Sequence, residues 1–88
     1  MKKKKIERRK YKITIAEANE PFVKGLKIVI KEKGLKQAYV AEKAGFTAQG
    51  LSDMMNGRRL IKACDIPKLA RTLGVKENEI YEAGEKNE

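Results

Sequence analysis

The chain has 88 residues, room for one small domain with a modest core and none for a separate catalytic domain. Its net charge of +9, from 21 Lys and Arg against 12 Asp and Glu, points to a polyanionic partner, most economically nucleic acid. A lone cysteine, Cys64, and no histidine exclude an internal disulfide and a zinc site of the usual His/Cys kind, and no apolar run reaches the roughly twenty residues of a membrane span.

The charge is unevenly spread. Residues 1–12 carry eight Lys and Arg against one Glu, residues 13–74 eleven against six, and residues 75–88 two against five. The basic start is followed by no apolar stretch, so no secretion signal is expected. A single thiol fits a reducing cytoplasm, with Cys64 as a small core residue on an amphipathic helix. Residues 1–18 are expected to form a basic N-terminal arm, partly disordered because like charges repel. Such an arm can follow phosphates or enter a minor groove. Within it Tyr11, Ile13 and Ile15 alternate with Lys12 and Thr14, a pattern that predicts a short strand.

Asn19-Glu20-Pro21 predicts a helix start, with Asn19 as cap and Pro21 in the first turn, where its missing N–H does no harm. Phe22, Leu26, Val29 and Ile30 then make one apolar stripe, with Lys24, Lys27, Lys31 and Lys33 largely off it. Gly34 ends this first helix and Leu35 tucks back.

Residues 37–44 predict a second helix, with Val40 and Ala44 on one face and the small Ala41 where two helices must cross. Gly45 provides a sharp turn, Phe46 can plug the gap, and Thr47 is a good cap for a third helix over 47–55. Leu51, Met54 and Met55 share the inner face of that helix. The opposite face carries Gln49, Ser52, Asp53 and Asn56, short hydrogen-bonding groups of the kind that suit base edges in a major groove. A plain helical hairpin would share the apolar pattern but not the whole combination, which is that of a helix-turn-helix. Gln49 can bond adenine N6 and N7 together, a contact worth about 1–3 kcal/mol of discrimination. Ser52 is adaptable, Ala48 can touch a thymine methyl, and Asp53 can accept from cytosine N4 or act by rejecting wrong bases. Gly50 costs roughly 1 kcal/mol of helix stability against Ala. Close approach of the second helix or of DNA would account for it.

Asn56-Gly57 suits a left-handed exit, after which Arg58, Arg59 and Lys62 project from a loop. A fourth helix is expected over 62–74, with Ile66, Leu69, Ala70 and Leu73 as its stripe and Gly74 as its stop. Residues 76–83 predict a short fifth helix anchored by Ile80, with a frayed acidic end after it. The domain proper is expected at 19–84, with an acidic tail at 85–88.

Gln37 opening the second helix, Ala41 within it, the Ala44-Gly45-Phe46 turn, core positions Leu51 and Met54, and the closing Asn56-Gly57 together resemble the lambda-repressor/Cro family. The likeness continues through IPKLARTLGV at 66–75 and covers roughly residues 20–83. It implies an all-α, five-helix DNA-binding domain preceded by a basic arm. It also implies a base-reading set of Ala48, Gln49, Ser52 and Asp53. Phosphates would be held by Gln37, at the positive end of its helix, and by Thr47, Asn56, Arg58, Arg59 and Lys62. The implied partner is double-stranded DNA, bound by a homodimer whose contact comes from the last helix. No cofactor or metal is implied.

The function expected on these grounds is a sequence-specific transcriptional regulator of the repressor kind. The alternative is an antitoxin-type adaptor that binds a protein partner, with the strand-like segment and the acidic tail as docking elements. Non-specific binding through the arm is a third reading. The scarcity of aromatic residues argues against a single-strand reader. An enzyme is not expected, for the chain has no histidine, no Gly-rich phosphate loop and no paired carboxylates in a plausible cleft.

Overall fold

The computed structural model describes residues 13–86, and these form six α-helices and no strand. They are α1 (Ile15–Ala18), α2 (Phe22–Glu32), α3 (Gln37–Ala44), α4 (Ala48–Met55), α5 (Asp65–Leu73) and α6 (Glu77–Lys86). The all-α expectation holds, with six helices in place of five.

The added element is α1, a single turn inside the span expected to be an arm. Thr14 Oγ1 accepts the Glu17 N–H at 3.1 Å and Glu17 Oε1 accepts the Thr14 N–H at 3.0 Å, a reciprocal capping box. Local capping thus overrides the alternation of Ile13 and Ile15, which has no strand to pair with among the described residues. Tyr11, Lys12 and the rest of the expected arm lie outside the described residues, as do positions 87–88 of the acidic tail.

The start of α2 also differs from expectation. Pro21 occupies the N-cap, and Asn19 is buried at 3% exposure with its side chain turned toward another part of the molecule. The expected stripe of Phe22, Leu26, Val29 and Ile30 is buried, together with Val23. Gly34 takes a left-handed φ of 66° and the Leu35 N–H returns to the Ile30 carbonyl at 3.1 Å, which closes the helix.

The core joins that stripe to Val40, Ala41 and Ala44 of α3, Leu51, Met54 and Met55 of α4, Leu69, Ala70 and Leu73 of α5, and Ile80 of α6. Each large aliphatic chain so enclosed contributes about 1.5–3 kcal/mol relative to exposure. Cys64 is not among them. The thiol is exposed, because Asp65 holds a turn ahead of α5: its Oδ2 accepts the Lys62 N–H at 3.0 Å while its own N–H reaches the Lys62 carbonyl at 2.9 Å. The fourth expected helix therefore begins at Asp65 rather than Lys62.

The last helix is longer than expected and runs on through Gly84, which is buried, to Lys86. The reason is its crossing with α2. A Cβ on Gly25 would overlap the Ile80 carbonyl, and one on Gly84 would lie 2.9 Å from the Gly25 nitrogen and overlap the Pro21 carbonyl. Backbone therefore meets backbone at two glycines, and the Phe22 and Tyr81 rings pack alongside at 5.1 Å in a tilted pair.

Gly25→Ala is expected to separate α2 from α6. The helix-propensity gain of about 1 kcal/mol cannot offset a clash with main chain, so a net loss of about 2–3 kcal/mol is expected in denaturant unfolding.

Candidate nucleic-acid interface

Helices α3 and α4 are joined by Gly45, Phe46 and Thr47. Gly45 has φ 90°, a conformation that L side chains rarely adopt, so the sharp turn depends on this glycine. The Phe46 N–H donates to the Ala41 carbonyl at 2.8 Å, and its ring packs half-buried against the core. Thr47 is extended and its Oγ1 accepts the Gly50 N–H at 2.9 Å, which caps α4 as expected.

With Gly50, Leu51, Met54 and Met55 turned inward, α4 leaves Ala48, Gln49 and Asn56 exposed and Ser52 and Asp53 half-exposed. The outer groups bond along the helix. Gln49 Nε2 donates to Asp53 Oδ1 at 2.9 Å, and Asn56 Nδ2 donates to Ser52 Oγ at 3.3 Å. Arg58 Nη1 reaches the same Asp53 oxygen at 3.3 Å, so this carboxylate has a cation beside it.

Arg59 explains Gly50. A Cβ at position 50 would lie 2.7 Å from Arg59 Nη1 and 3.0 Å from Thr47 Oγ1. The guanidinium thus lies over the first turn of α4, in space that the missing side chain leaves open. The two arginines flank one edge of the polar face: Arg58 at Asp53, Arg59 at Gly50.

The loop that carries them is tied down by Asn19. Asn19 Nδ2 donates to the carbonyls of Met54 at 3.1 Å and Arg59 at 3.0 Å, and Oδ1 accepts the Ile61 N–H at 3.0 Å. The Arg58 and Arg59 N–H groups also return to the Asp53 carbonyl, at 2.8 and 3.1 Å. Gly57, with φ 77°, makes the exit turn, and α1 presses on it: a Cβ there would meet Ala16 Cβ at 2.7 Å.

Of the residues singled out from the sequence, Gln49, Asp53 and Arg58 thus form one cluster, Ser52 and Asn56 a second, and Thr47 and Arg59 meet at Gly50. Gln37 stands apart, exposed at the start of α3, where Lys36 supplies no side-chain cap and the first-turn amides have no intrahelical partner. Lys62 is exposed at the turn that opens α5, further along the loop than the arginine pair. Sequence reasoning missed the anchoring role of Asn19. It also missed the Thr14–Glu17 capping box, whose T-x-x-E spacing was readable.

A helix-turn-helix family model matches residues 26–80. The chain belongs to the lambda-repressor/Cro-like helix-turn-helix family. This is a family of DNA-binding transcriptional regulators rather than of enzymes, and the match spans α3, the Gly45 turn, α4 and the arginine loop of this helix-turn-helix protein. No curated protein matches the chain. Among the described residues no helix is long and apolar enough to cross a membrane.

Asn19→Ala should loosen the loop. It leaves the Arg59 carbonyl and Ile61 N–H without their side-chain partner, and a loss of about 2–3 kcal/mol is expected in denaturant unfolding. Asn19→Asp keeps the shape but sets an acceptor against two carbonyls, and should cost at least as much.

Proposed function

We propose that this helix-turn-helix protein is a sequence-specific repressor that lays α4 in the major groove of an operator and blocks transcription by occupancy. The supporting observation is the strip of exposed amide and hydroxyl groups on α4, edged by two arginines that the fold holds in place. A helix built only for solubility would present Lys and Glu there instead.

In this reading Ala48, Gln49 and Ser52 face base edges, with Asp53 beside them on the same face of α4. Gln49 makes the main contact, to adenine. Gln37, Thr47, Asn56, Arg58, Arg59 and Lys62 meet phosphates and set the register of α4 in the groove. Gln37 acts with the amides that open α3, and the arginines offer several N–H groups each. The basic segment 1–12 would add phosphate contacts. Its attachment favours this, since Ala16 sits against Gly57 at the C-terminal end of α4. In function the arm would be 1–18, seated on the domain by α1, the domain 19–84, and the tail 85–88, whose first residues end α6. Two copies related by a two-fold axis would meet half-sites about 34 Å apart.

The test is selection from random duplex DNA by the purified chain, which should return one sequence with two-fold symmetry. Gln49→Ala should then relax preference at one base pair. Arg58→Ala should weaken all sequences alike and make the slope of log K against log salt shallower by about 1. Recovery of no preferred sequence, or the same pattern of loss from both variants, overturns the reading.

Gly50→Ala gives an independent check. The added methyl displaces the Arg59 tip rather than main chain, and a gain in helix propensity of about 1 kcal/mol offsets its crowding of the Thr47 cap at 3.0 Å, so the melting temperature should stay close to the parent value. Binding to every sequence should nevertheless weaken, because Arg59 loses its seat on α4.

A further inference from the structure

One oxygen, Asp53 Oδ1, receives both the Gln49 amide at 2.9 Å and the Arg58 guanidinium at 3.3 Å. An ionised carboxylate only accepts hydrogen bonds, so Gln49 can meet it only through its NH2 group. Charge, not packing, therefore decides which end of the Gln49 side chain faces Asp53. One of the two N–H groups is used, and Oε1 is left for another partner.

What remains on Gln49 is one acceptor and one donor. Adenine offers their complement in the major groove, an N6 donor beside an N7 acceptor. Guanine offers two acceptors, N7 and O6. An unrestrained glutamine could turn both N–H groups toward guanine, whereas one bonded to Asp53 has a single N–H to give. We propose that Asp53 is a positioning residue that restricts Gln49 to adenine, rather than a reader of a base in its own right. This rests on Gln49 facing base edges, as in the function proposed above.

Arg58 completes the arrangement. A bare carboxylate among phosphates would repel the DNA, and the guanidinium against the same oxygen offsets that charge while keeping N–H groups for a phosphate. The Arg58 side chain is 67% exposed and that of Asp53 29%, so the pair adds little to folding. Its consequence falls on binding. As a donor-only group, Arg58 also keeps an accepting oxygen turned toward the cluster, whatever residue supplies it.

The experiment compares duplexes that differ only at the base pair where Gln49→Ala relaxes preference. Asp53→Ala should lower adenine-over-guanine discrimination there by about ten-fold or more, with affinity for the preferred duplex unchanged or higher. Asp53→Asn, which keeps an acceptor without the charge, should retain the adenine preference and tighten binding to all sequences. Adding Asp53→Ala to Gln49→Ala should relax that position no further, since both act through one contact. All variants should melt close to the parent temperature. A change of preference at a different base pair makes Asp53 a base reader and overturns the proposal. So does an unchanged preference at the Gln49 base pair in Asp53→Ala. If Gln49→Ala relaxes no base pair, base reading by α4 falls as well, which separates the two failures.

Discussion

The candidate nucleic-acid interface depends on how two buried polar side chains hold an irregular loop. Asn19 and Asp65 are the buried polar residues among those described, and both bond the backbone between α4 and α5. Asn19 takes the Arg59 carbonyl and the Ile61 N–H; Asp65 takes the Lys62 N–H. A polar group without a partner in the interior costs about 1–3 kcal/mol, so each of these side chains is stable only where the loop meets it. That requirement gives the arginine pair one position relative to α4. Asn19 reaches the Met54 carbonyl as well, and so ties the loop and the end of α4 to a single atom group.

A second constraint is closeness. Five small residues let chain segments approach where a larger side chain would hold them apart. Gly25 and Gly84 bring α2 and α6 into backbone contact, Ala16 rests on Gly57, and Gly50 admits the Arg59 guanidinium. The first pair clamps the two ends of the domain together, since α2 opens it and α6 closes it. The last seats Arg59 on α4 at the expense of helix propensity, about 1 kcal/mol against Ala. The candidate interface is thus held by contacts between elements far apart in sequence, while its side chains come from the start of α3, from α4 and from the loop after it.

That division explains which features could be read early. The stripe on α2, the bounds of α3, the left-handed Gly45 and the Thr47 cap all rest on residues within one helix or its adjoining turn, so spacing and residue type suffice. The polar face of α4 follows from the same periodicity. At Thr14 two local signals compete, alternation and capping, and the capping box prevails where no second strand lies among the described residues. At Cys64 periodicity alone does not mark the helix start, because the turn in which Asp65 Oδ2 accepts the Lys62 N–H precedes the first helical residue.

The sequence by itself determined the helix-turn-helix and the chemistry of its outer face, because 3.6-residue periodicity, a glycine turn and a hydroxyl cap act within one or two turns of chain. Only the tertiary structure decided what Asn19, Gly25, Gly50 and Gly84 are for. Asn19 bonds groups 35 to 42 positions away, and Gly25 meets a helix more than fifty residues on. No local pattern encodes such a meeting, since a small or polar residue looks the same in a sequence whether it faces water or another part of the chain.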